Sequence, residues 1–122
     1  MKPIDIVYRV VRTRGLVTLT VEEGHALRII APQSSVQIAQ ISEKGFEFGC
    51  AGAGPQQLAL AILLDFTESK SAAIHLYRAF TLDFVARWQG TSASIDGASI
   101  QGWIDLTQHA AGLAALRWGG RL

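Results

Sequence analysis

Gly49, Cys50, Gly52 and Gly54, with Gln56 and Gln57 just past Pro55, are the residues of this chain whose types and spacing best suit holding a ligand. Glycines let the backbone approach a bound group closely, and the first N–H groups of a following helix attract anions. Phosphate is therefore the chemistry to weigh first. A P-loop needs Lys and Ser or Thr directly after its second glycine; Gly49 and Gly54 have the spacing, but Pro55 and Gln56 follow. A dinucleotide fingerprint needs a small third residue so that helix and strand pack closely; Gly52 and Gly54 fit, but Gln57 occupies that place and Pro55 removes a donor. Two readings stay open. One is a tight junction feeding a buried helix; the other is a binding loop for a small anion or a partner.

Other reactive groups are scattered. His25, His75 and His109 have no close spacing to one another or to Cys50, so the metal expectation is none. Cys50 lies near a helix start, a place that can activate a thiol, but no histidine base is near it in sequence. Asp65 and Glu68 read as a helix end and a break rather than as a catalytic pair. Arg9, Arg12 and Arg14 form a candidate basic patch on the N-terminal hairpin, where Arg12 and Arg14 share a strand parity. Nucleic acid is the partner such a patch would take, although no aromatic stacking platform accompanies it. Trp103 and Trp118 are a candidate self-association surface, because tryptophan is enriched at interface hot spots.

These residues must be positioned by one domain. The chain has 122 residues, 49% apolar and 17% charged, which suits a folded core. A net charge of +1 gives no general pull toward nucleic acid or anionic membrane. One cysteine excludes an internal disulfide and fits a reducing, cytoplasmic setting. The longest apolar run, residues 58–64, is far below the roughly 20 residues that span a bilayer, so no membrane association is expected.

The pattern predicts an α+β fold in a single domain over residues 1–122, with residues 1–48 β-rich, two helices in 55–89 and short helices in 95–118. Ile4, Ile6, Tyr8 and Val10 alternate with Asp5, Val7, Arg9 and Val11, and after the Thr13-Arg14-Gly15 turn the strand returns over residues 16–21. Glu23-Gly24 makes a second turn into a third strand over 25–30, and Pro32 to Ser35 break it. Residues 36–41 read equally as strand or loop, and 46–48 as a short strand entering the glycine stretch. Pro55 suits a first helical position, and residues 58–64 leave no polar face, which marks a buried central helix over 55–66. Ser71 is the expected N-cap of a second helix reaching Gln89, whose stripe is Ala73, Tyr77, Phe80, Phe84 and Trp88. Ser92 to Ile95 suit a brief strand. Asp96 or Ser99 caps a short helix with Ile100, Trp103 and Ile104, and residues 106–117 carry a last helix with His109, Leu113 and Leu116 on one side.

From Ser42 to Gly49, and from Gly52 through Gln57 to Leu63, the chain resembles a family of small bacterial and phage domains of unknown function. Its members carry a GFEWGYGGSGPAQLALAIL-type block, and the resemblance extends over residues 8–104. Phe48, Cys50 and Ala53 stand where tryptophan, tyrosine and serine are usual. The resemblance implies no activity, catalytic residue or cofactor. It does imply a setting, as accessory cargo of phages, plasmids and integrated elements. The expected function is accordingly non-enzymatic: binding of a protein partner, with inhibition of a host defence or regulatory protein as one form and a homodimer as a possible state. The alternatives are a small-molecule or nucleotide site at Gly49 to Gly54, and nucleic-acid binding through the hairpin arginines. No cofactor and no catalytic residue is assigned.

Overall fold

A computed structural model describes residues 1–119, with side chains through Ala110. Four strands, β1 (Val7–Thr13), β2 (Leu16–Glu23), β3 (Ala26–Ile30) and β4 (Ser92–Asp96), form one antiparallel sheet in the order β3-β2-β1-β4. The expected α+β fold with an N-terminal meander is what the chain adopts, and the meander gains β4 on its far side. The first hairpin closes through Arg14 and Gly15 at φ 52° and 80°. Both residues lie in the left-handed region that a two-residue primed turn demands, which fixes Thr13 opposite Leu16. Register then sends Ile6, Tyr8, Val10, Val17, Leu19, Val21 and Ile95 to one buried face.

Helix α2 (Ala53–Thr67) lies on that face, with Leu58, Leu60, Ile62, Leu63 and Phe66 fully buried. A helix apolar on every side has to be covered on every side; the sheet takes one flank and α3 (Lys70–Asp83) the other. Its C-cap, Glu68, sits at φ 57° and donates its N–H to the Leu64 carbonyl. The cap of α3 is Ser69, whose Oγ accepts from Ala72 N at 3.2 Å, two residues before the expected Ser71. Nor does α3 reach Gln89. Phe84 leaves helical geometry and a 3-10 turn, Val85–Arg87, comes next, which buries Val85 and frees its carbonyl for Gly49.

Three further expectations change. Residues 33–36 form a single helical turn, α1 (Gln33–Val36), in place of the expected break, and 37–41 are loop. Residues 46–48 join no sheet, and the second flank of β1 is taken by β4 instead. The C-terminal short helices are one helix, α4 (Gly97–Gly119), capped by Asp96, whose Oδ1 accepts from Ser99 N at 2.8 Å. Ile100 and Ile104 bury its first turns. The side chains of Leu113, Leu116 and Trp118 lie outside the described residues.

Candidate functional site

The glycine stretch is held at Gly49 and at Gly54. Gly49, at φ 88°, donates its N–H to the Val85 carbonyl at 3.0 Å, and a Cβ there would stand 3.0 Å from the Trp88 carbonyl oxygen. A Cβ at Gly54 would stand 2.6 Å from the Cβ of Glu47. These two glycines are required by close backbone packing. Gly52, the N-cap of α2, meets nothing within 4 Å and offers no side-chain acceptor. Cys50 is exposed. Gln56 reaches only the Ala51 carbonyl, at 3.4 Å.

Gln57 is fully buried and spends its whole amide on the chain. Its Oε1 accepts from the backbone N–H of Ile41 (2.7 Å) and Ser42 (3.0 Å), and its Nε2 donates to Ser35 Oγ (2.9 Å) and the Ala39 carbonyl (3.1 Å). Two donors and two acceptors are thus matched, and the loop over residues 35–42 is pinned to α2. This explains the residue that spoils the dinucleotide pattern: it satisfies a neighbouring loop rather than the glycines. Beside the helix start lies an open cleft of about 410 Å³ lined by Lys44, Phe46, Glu47, Cys50 and residues 52–55.

The three hairpin arginines do not share a surface. Arg9 lies on the outer face of the sheet, paired with Glu22 at 3.2 Å. Arg12 continues the buried parity of Ile6, Tyr8 and Val10 and turns inward. There it bonds Glu47 through Nε (3.0 Å) and Nη2, the Phe48 carbonyl (2.8 Å) and the Gly90 carbonyl (2.9 Å), with its guanidinium 4.2 Å from the Phe48 ring centre. Arg12 therefore fastens β1 to the glycine stretch, a role its strand parity could have signalled. The hydrogen bonds from Arg12, and then from the Phe48 N–H, hold the Glu47 carboxyl below its ordinary range. Arg14 sits in the turn itself. Trp103 packs on Phe80 and Phe84, at centroid distances of 5.3 and 6.0 Å, and donates to Asp83 at 2.7 Å.

A polar cluster at the C-terminal end of α2 carries no sequence signal of its own. Tyr8 donates to Asp65 Oδ2 at 2.7 Å, and Arg28 bonds both Asp65 oxygens, at 3.0 and 3.2 Å, and Glu23 at 3.3 Å. Burial, and then the bond to Asp65, raise the Tyr8 pKa, so the hydroxyl stays a neutral donor. The bond to Asp65 likewise raises that of Arg28. Next to this cluster an open cleft of about 390 Å³ runs between β3 and α2, lined by Arg28, Ile30, Ala61, Leu64, Asp65 and Glu68.

That cleft flanks the free edge of the sheet. In antiparallel pairs, residues alternate between those that exchange both backbone bonds with the neighbour and those whose N–H and C=O point away. Two-residue hairpins place the exchanging pairs at Thr13–Leu16 and Glu23–Ala26. Counting along β3, Ala26, Arg28 and Ile30 bond to β2, while Leu27 and Ile29 direct their N–H and C=O outward. Neither finds a backbone partner among the described residues. Their side chains stand on the outer face of the sheet at 66% and 73% exposure. The β4 edge presents Ser92, Ser94 and Asp96 by the same count, the phase being confirmed by the Gly97 N–H to Ile6 and Arg12 N–H to Thr91 bonds.

Among the described residues no group of His, Cys, Asp and Glu converges as a metal site, and no helix is long and apolar enough to cross a membrane. Neither the curated proteins nor the solved structures contain a match to the chain. A family model does match, over residues 8–106, the stretch that carries the sheet, the glycine junction and the first turns of α4. The chain belongs to that family, described as a family of unknown function (DUF6166).

Proposed function

We propose that this protein is a non-enzymatic binding module that takes up a protein partner at the β3 edge, by strand addition. The observation that carries this reading is the outward N–H and C=O of Leu27 and Ile29, flanked by those two exposed apolar side chains. An extended segment laid along β3 would gain main-chain bonds and apolar cover together. Three of the groups that sequence reasoning weighed support it from the other side. Gln57, Arg12 and Asp65 are committed to partners within the chain. Given the accessory-cargo setting that the sequence resemblance implies, we infer that the partner is a host defence or regulatory protein whose action the module blocks.

The test is capture from the native host with three baits: wild type, Leu27→Lys/Ile29→Lys, and Arg14→Glu. The reading expects a specific host protein with wild type and Arg14→Glu, and its loss with the β3 variant. A partner kept by the β3 variant, or no macromolecular partner at all, contradicts it.

A further inference from the structure

We propose that the β3 edge is self-complementary, and that without another partner it pairs antiparallel with β3 of a second copy to form one continuous eight-stranded sheet across a twofold axis. This rests on the reading of β3 as a strand-addition edge and names an occupant for it.

The register is set by geometry. A twofold axis through Arg28 sets Leu27 of one copy opposite Ile29 of the other, twice. Those are the residues whose N–H and C=O face outward, so both pairs exchange their backbone bonds, while four exposed apolar side chains meet in one patch on the outer face. The same axis brings the two Arg28 side chains together on the inner face. Each carries two carboxylates, Asp65 at 3.0 Å and Glu23 at 3.3 Å, so two cations meet among four anions and their mutual repulsion is offset.

The two edges differ in a way that stops growth at two copies. Residues 26–30 contain no lysine and no proline, and their one inward-pointing charge, Arg28, is already paired with Glu23 and Asp65. The β4 edge is polar, and the Asp96 carboxylate is held by the Ser99 N–H. Pairing through β3 alone gives a closed, isologous dimer, not a fibre. A five-residue strand covers well under the roughly 800 Å² per partner of a standard interface, so the dimer is of the weak, dissociable kind.

Sedimentation velocity from low micromolar to millimolar protein, with residue-resolved amide exchange at both ends of that range, tests this. The expected result is a monomer–dimer equilibrium in wild type and in Ser94→Lys, protection of the Leu27 and Ile29 amides only in the dimer, and a monomer at every concentration for Leu27→Lys/Ile29→Lys with an unchanged circular dichroism spectrum. A wild type monomeric throughout overturns the proposal, as does a dimer that survives the double lysine variant or protects other amides instead. The captured host partner separates the two claims. If wild type stays monomeric yet that partner protects both amides, the dimer is wrong and strand addition stands; if the dimer forms and the partner protects neither amide, the dimer stands and strand addition by that partner falls.

Discussion

The glycine junction and the β3 edge are opposites. The junction has the spacing of a ligand loop, yet its special residues are spoken for: Gly49 and Gly54 by backbone approach, Gln57 by four hydrogen bonds and Glu47 by Arg12. The edge reads as an ordinary short strand, yet Leu27 and Ile29 leave backbone groups and apolar side chains without partners among the described residues. On the proposed reading, the binding surface of this chain is marked by what is left unsatisfied, not by motif spacing. Changes at the junction should therefore cost stability and spare binding, and changes at the edge should do the reverse.

The largest effect belongs to Gln57→Leu. It removes a buried amide and strands the N–H groups of Ile41 and Ser42 and the carbonyl of Ala39. At about 1 kcal/mol per bond, and more for each group left buried and unpaired, the loss is about 3–4 kcal/mol in urea unfolding. A loss under about 1 kcal/mol would mean that the 35–42 loop is not pinned by this residue. Next comes Gly54→Ala, whose Cβ meets Glu47; overpacking of this kind costs about 1–3 kcal/mol. Gly52→Val is the contrasting case, since nothing lies within 4 Å of its Cβ, and it should leave the fold intact. A panel of nucleotides and phosphate should leave the melting temperature of wild type unchanged. A shift that Gly52→Val abolishes would return the binding role to the junction.

Acid should probe the same junction more gently. Arg12 holds the Glu47 pKa in the folded state below its ordinary value of 4.5. A depressed carboxyl contributes stability that is complete above the unfolded pKa and is lost as pH falls through the folded one. Glu47→Gln should therefore flatten the decline in stability below about pH 4.5 relative to wild type. The side chains are 29% and 38% exposed, so added salt should shrink the difference. An acid limb identical in the two proteins would show that the pair does not couple to folding. The smallest effect on stability is at the edge: Leu27→Lys, at an exposed position, should stay within about 0.5 kcal/mol of wild type. A larger loss would mean that β3 is covered in the monomer.

How much of the molecule is legible in the sequence depends on the range of the interactions involved. The hairpins and α2 rest on local signals: strict alternation around Arg14-Gly15, and an apolar run opened by Pro55. The α3 cap lies two residues from its expected place because Ser69 and Ser71 are equally good caps, and only packing chooses between them. Its early end at Asp83 depends on Gly49 claiming the Val85 carbonyl from more than thirty positions away. Residues 46–48 look like a strand but pair with none, and β4 arrives from the far end of the chain to take the free side of β1. β3 stays an open edge because β4 adds at the opposite side of the sheet. The candidate site at the junction is therefore visible in the sequence as a motif, whereas β3 becomes visible only once the strand order is known. Arg12 lies between the two cases, since its parity with Tyr8 and Val10 points inward whatever its partners.

The most direct measurement is residue-resolved amide exchange on dilute, monomeric protein without a partner. The account predicts strong protection at Ile41, Ser42 and Gly49, whose N–H groups are bonded, and none at Leu27 and Ile29, whose N–H groups face outward. Protection at Leu27 and Ile29 in the monomer, or rapid exchange at Ile41, Ser42 and Gly49, would contradict it.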